Sequence, residues 1–126
     1  MQRDMELIRE IVRRVQAKDD LTPREIKIDG RDPAIVARHV ELLHAAGMID
    51  AAQVHRPHNR PPMIFVRDLS NAGHDFAAAL QNDTVWSQVK QALSPTELAK
   101  APLKIIATLG NKLLEAYVMS KVGLGN

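Results

Sequence analysis

The side chains best suited to hold a ligand cluster in one proline-rich stretch, His55-Arg56-Pro57-His58-Asn59-Arg60-Pro61-Pro62. Two arginines on a loop stiffened by prolines suit phosphate oxygens or a narrow minor groove, because a guanidinium offers several fixed donors and a permanent charge. His55, Arg56, His58 and Arg60, with Arg67 farther along, are therefore the first binding candidates. The bland alternative is a polar loop that is basic by chance. The five histidines invite a metal reading, but His55 and His58 stand on a loop with no cysteine and no carboxylate between them. Zinc needs three or four convergent ligands, so no metal site is expected. Catalysis finds no support either. Ser70, Ser87, Ser94 and Ser120 suit caps or helix surfaces, Asp83 suits a cap, and no glycine-rich phosphate loop exists. A non-enzyme without cofactor is expected.

Composition sets the bounds. The 126 residues suffice for one domain with an appended arm, and aromatics are scarce, so the core must be aliphatic. The formal net charge of +2 is too small for a whole-molecule field that would imply nucleic acid, and any such case must rest on local charge. The absence of cysteine excludes a disulfide scaffold and fits a reducing cytoplasm. The charged start, Met1-Gln2-Arg3-Asp4-Met5-Glu6, leads into no apolar run, so no signal peptide is expected. Leu103 to Val122 is broken by Lys104, Lys112 and Glu115, which argues against a membrane span.

Periodicity places the elements that must carry the loop. Met5, Ile8, Val12 and Val15, with Ile11 beside them, predict an amphipathic helix from Asp4 to Gln16, and Glu6–Arg9 and Glu10–Arg14 can pair on its outer face. Glu25-Ile26-Lys27-Ile28 alternates as a short strand does. Asp32-Pro33 opens a helix to Ala46, with Ile35, Val36, His39, Val40, Leu43 and Ala46 buried and Ala34, Ala37, Arg38, Glu41 and His44 outward. Ile49–Val54 and Met63–Val66 form a hairpin around the proline-rich tip. Ser70 caps a helix with Phe76 and Leu80. Asn82-Asp83-Thr84 kinks it or caps a separate helix with Val85, Trp86, Val89 and Leu93. Ser94-Pro95-Thr96-Glu97 matches a capping box. Pro102 starts a last helix with the stripe Ile105, Leu109, Leu113 and Ala116, flanked by Ile106, Leu114, Tyr117 and Val118.

Two further candidate surfaces follow. The Asp32–Ala46 helix occupies the place of a recognition helix, yet only Arg38 and His44 could donate to a base or phosphate, and Glu41 opposes them. The C-terminal helices carry a wide apolar face, with Trp86, Leu98, Ile105, Leu109, Leu113 and Tyr117 as candidates for self-association or a protein partner. The alternative is that they fold back and complete the core.

The order helix, strand, helix, hairpin, helix is that of a winged helix with its second helix reduced or missing. The expected fold is thus mainly α with a small β-hairpin: a winged-helix-like domain over residues 1–81 and a C-terminal helical arm over 82–126. Arg3-Asp4-Met5-Glu6-Leu7-Ile8-Arg9, Ile28-Asp29-Gly30, His39 to Ile49, Leu69-Ser70-Asn71-Ala72-Gly73-His74-Asp75-Phe76 and Asn82-Asp83-Thr84-Val85-Trp86 sharpen this. In these stretches the chain resembles the small bacterial and prophage proteins of domain-of-unknown-function family twenty-five-thirteen. Gln2 and Asn71-Ala72 depart locally from that pattern. The resemblance implies a winged-helix-like fold and a mobile-element setting, but no activity. The expected function is a DNA-binding regulator that touches DNA mainly through its wing. The alternative is a protein-interaction module serving as an accessory subunit in a phage or defence complex.

Overall fold

In the computed structural model, which describes residues 1–123, α1 (Met5–Gln16) packs against the second helix, the second strand and the third helix. The Asp4 carboxylate caps it, accepting from the N–H groups of Glu6 at 2.9 Å and Leu7 at 3.2 Å. Met5, Leu7, Ile8, Ile11, Val12 and Val15 are all buried, so α1 is covered on a wider arc than the usual single stripe. Glu6 pairs with Arg9 at 3.1 Å as its spacing predicts. Glu10 does not pair with Arg14. It reaches Arg31 at 2.7 Å, because the chain after α1 returns alongside and offers a cation that also contacts Asp4 at 3.4 Å.

The expected strand over residues 25–28 is reduced to a bridge one residue earlier. Arg24 alone pairs antiparallel with Val66, through N–H···O contacts of 3.1 and 2.7 Å. Ile26 and Ile28 still pack partly against the core. Extended backbone alternates its side chains whether or not a ladder forms, so the pattern was real but the pairing was not.

α2 (Pro33–Ala45) starts at the Asp32 cap, with Pro33 at the first turn. Val36, His39, Val40 and Leu43 face inward, whereas Ile35, expected in that stripe, is 37% exposed. The helix meets the core along a narrow seam, and Ile35 falls at its edge. His39 is fully buried and fully satisfied. Its Nε2 accepts from the Asp4 N–H at 2.9 Å, which leaves the ring proton on Nδ1 to donate to the Ile35 carbonyl at 2.8 Å. One imidazole thereby ties the start of α1 to the body of α2.

β1 (Ile49–Val54) and β2 (Met63–Leu69) form one antiparallel hairpin, running from Ile49↔Leu69 to Val54↔Met63, with an irregularity between Asp50 and Ala51. Ile49, Ile64, Val66 and Leu69 send side chains into the core. α3 (Asn71–Leu80) follows directly. Ser70 Oγ accepts from the Gly73 N–H at 3.0 Å and donates to the Gly47 carbonyl at 2.6 Å, seating α3 against the exit of α2. Gly73 is required there, since a Cβ at this position would lie 1.8 Å from the Met48 carbonyl oxygen.

The remaining helices are α4 (Asp83–Ala92), α5 (Pro95–Lys100) and α6 (Leu103–Lys121). Asn82, not Asp83, caps α4, accepting from the Val85 N–H at 3.0 Å. The Ser94/Glu97 capping box forms. The helices of the C-terminal arm pack back against the preceding elements. α6 packs on α3 and α4, and Trp86, Val89, Leu103, Ile106 and Ala107 join the same hydrophobic cluster as α1. Its inward face is Leu103, Ile106, Ala107 and Gly110, while Ile105 and Ala116 of the expected stripe are exposed. Gly110 lies close enough to α3 that a Cβ there would sit 3.1 Å from that of Ala79, and this near approach sets the rotation of α6. Residues 124–126 of the expected arm lie outside the described residues.

Two stability predictions follow from these contacts. Gly73→Ala will cost about 3 kcal/mol, near the top of the range for overpacking, because backbone must move rather than a side-chain tip. His39→Leu keeps the volume but removes the acceptor of the half-buried Asp4 N–H, at a cost of roughly 1 kcal/mol. Urea unfolding midpoints measure both; an unshifted midpoint in either variant contradicts the packing described for it.

Candidate nucleic-acid interface

The hairpin carries the basic loop at its far end. His58 and Asn59 adopt left-handed backbone, with φ of 62° and 56°, which turns the chain tightly at the tip. The Arg60 N–H closes this turn on the Pro57 carbonyl at 3.4 Å. His55, His58 and Arg60 are exposed. Arg56, the other loop arginine, is half-buried. Its Nε donates to the Pro61 carbonyl at 2.7 Å, bracing one side of the loop against the other. It also lines a cavity of about 50 Å³ with Glu25, Ile26, Ala37, Val40, Pro62 and Ile64, which brings it beside the outward face of α2. One donor is spent on the loop, and the rest of the guanidinium remains available.

The other candidate cations are largely neutralised. Arg67 sits near the base of the hairpin and binds Asp50 through Nε at 2.8 Å and a terminal nitrogen at 2.5 Å. Arg38 is paired with Glu41 one helical turn on. His44 is half-buried on the same helix. The structure therefore brings Arg56 next to α2 and leaves His55, His58 and Arg60 at the tip, but it holds Arg67 away from them.

Elsewhere arginines act as braces. Arg24 binds Asp20 in a two-pronged contact of 2.9 and 2.8 Å. Those bonds, with the Thr22 N–H, hold the Asp20 carboxyl well below the usual carboxylate range. Arg3 donates to the Leu98 and Ala101 carbonyls at 2.8 and 2.5 Å, closing the end of α5, and its burial lowers its pKa. Arg14 and Lys27 were missed by sequence reasoning. They line two adjoining open depressions of about 660 and 500 Å³, together with Ala17, and neither has an ion-pair partner among the described residues. Only the return of residues 24–29 along α1 brings them together, and no local pattern encodes that.

The expected association residues divide differently. Trp86 is 3% exposed and belongs to the core, so it is closed to a partner. Leu98, Leu109 and Leu113 pack partly against that core, and Tyr117 is half-buried. Ile105 alone of the set is well exposed, at 58%. Among the described residues no group of three or more His, Asp or Glu side chains could hold a metal, and no helix is long and apolar enough to cross a membrane.

A mainly helical chain with one antiparallel hairpin bearing a basic loop is the class these features define. The chain belongs to the family described as Hypothetical protein (DUF2513), whose model matches residues 2–98. A protein of Haemophilus influenzae (strain ATCC 51907 / DSM 11121 / KW20 / Rd), described as Uncharacterized protein, is 29% identical over 100 residues, covering 78% of this chain and 83% of that one. No solved structure is a significant match. Several residues within the matched stretch serve the fold. Gly73 seats α3 under Met48, His74 Nε2 lies 3.5 Å from Asp68, Phe76 fills the core, and the Trp86 indole donates to Glu6 at 3.1 Å.

Proposed function

We propose that the chain is a winged-helix module, in a cytoplasmic regulator of a bacterial mobile element, that contacts the DNA backbone through the loop between β1 and β2. The element order supports a winged helix with its second helix missing, and the Arg24–Val66 bridge stands where the third strand of such a sheet would run. One observation carries the DNA reading. Arg9, Arg24, Arg31, Arg38 and Arg67 each have a carboxylate partner, whereas Arg3, Arg13, Arg14, Arg56 and Arg60 have none among the described residues, and of these five only Arg56 and Arg60 share one loop. Unneutralised guanidinium groups on an exposed, braced loop suit phosphate contact without base reading. The outward face of α2 is poor in donors, so sequence discrimination is weak. Self-association would set two such wings on one duplex and raise their joint affinity.

A second reading is favoured by the α2 face itself. Ala34, Ala37 and Ala45 are exposed around an Arg38 that Glu41 neutralises, a flat surface suited to another protein. The two readings separate in one titration. Duplex DNA binding by the intact chain will fall with salt, and Arg56→Ala with Arg60→Ala will lower the slope of log K against log salt by about 2 for each wing engaged. Unchanged affinity and slope would refute the wing. Glu41→Gln frees Arg38 beside the wing and will strengthen DNA binding, with a slope steeper by up to about 1 for each copy bound. If α2 faces a protein instead, that variant leaves DNA affinity untouched.

A further inference from the structure

The last turns of α6 extend an apolar surface that nothing among the described residues covers. Val118, Met119 and Val122 are 48%, 39% and 61% exposed. Beside them, between α3 and α6, runs an open groove of about 370 Å³ lined by Asp75, Ala78, Asn111, Leu114, Glu115, Val118 and Met119. Its floor is apolar and its rim acidic. Asp75, Glu115 and Lys121 form no ion pair among the described residues, and the Lys121 ammonium rests over the Tyr117 ring, 5.3 Å from its centroid.

We propose that this groove and the end of α6 form the surface on which a second copy of the chain docks, its α6 antiparallel to the first about a two-fold axis at Val118. The arrangement of residues along α6 carries the inference. Leu114, Val118 and Val122 recur every four residues and so share one face. Glu115 lies as far before Val118 as Lys121 lies after it, and Leu114 as far before as Val122 after. A two-fold axis at Val118 reverses the helix, so the acidic end of one copy meets the basic end of the other. Leu114 then lies level with Val122 of the second copy, and Lys121 of that copy reaches the level of Asp75 and Glu115. Each apolar strip is covered by its own equivalent, and unpaired charges of opposite sign are brought together twice. This deepens the two-wing reading of the function by naming the surface that joins the copies, and it does not depend on DNA contact.

The experiment is the solution mass of the full chain across a concentration series, by sedimentation equilibrium, with circular dichroism to confirm folding. The wild type will rise toward twice 14.0 kDa. Val118→Glu, at a half-exposed helix position, will remain a folded single copy. Lys121→Glu will weaken the dimer at least tenfold, and adding Glu115→Lys to it will restore most of that loss by reversing the pair. A wild type that stays monomeric at every concentration, or a dimer indifferent to Val118→Glu, would overturn the assignment. So would a monomer that binds anionic vesicles through this face. DNA titration of the wild type beside its solution mass separates the two questions: salt-dependent binding by a monomeric wild type sinks the docking surface and leaves the wing standing.

Discussion

One arginine holds the two halves of the chain in register. Arg9 projects from α1 with its side chain only 14% exposed. Its Nε donates to the Leu80 carbonyl at the end of α3 at 3.0 Å, one terminal nitrogen pairs with Glu6 at 3.1 Å, and the other lies 3.7 Å from Asp83 at the start of α4. Its guanidinium stacks over the Trp86 ring, 5.1 Å from the centroid, while the Trp86 indole donates to the same Glu6. A planar cation with donors on both edges and a face for an aromatic can satisfy a helix end, two carboxylates and an indole at once; an ammonium cannot. The α3–α4 turn is thereby fixed on α1, and α6, which packs across α3 and α4, takes its position from that turn.

The other half is fixed by groups that are equally short of alternatives. His39 joins α1 to α2 with both ring nitrogens used, and Gly73 and Ser70 lock α3 under the turn that leaves α2. The hairpin is thus clamped at its base between α2 and α3, where Ile49 and Leu69 are buried, and its tip is free to project. Rigid seating with an exposed loop is the arrangement that lets a few loop side chains meet a partner at a set position.

Electrostatics follows from the same economy of contacts. Most arginines are consumed in holding elements together, either on carboxylates or on helix-end carbonyls. The cations that structure has not used on a carboxylate include Arg56 and Arg60 on the loop, Arg14 and Lys27 beside α1, and the lysines of the last helices. The chain's polar surface divides into a braced interior scaffold and a few unspent cations, and the latter set the scope for binding.

Local rules were enough for much of this. Asp4, Asp32, Ser70 and Ser94 mark helix starts because a short side chain can reach the free amides of its own next turn, and the hairpin is bounded by prolines that cannot continue a ladder. The exposed tip residues His55, His58 and Arg60 were likewise legible, since a polar, proline-rich loop has nowhere to go but outward. What only the tertiary structure decided were partners distant along the chain. Glu10 takes Arg31 rather than Arg14, Arg67 loses its freedom to Asp50 across the hairpin, and the segment at 25–28 yields one bridge instead of a strand. The rotation of α6 was also beyond local pattern, because a helix apolar on most sides has several faces that could be buried. The close approach of Gly110 to α3 selects one of them, sending Ile106 inward and leaving Ile105 and Val118 to solvent. Periodicity reports which side chains avoid water, whereas the choice among competing faces and ion pairs depends on what another part of the chain brings within reach.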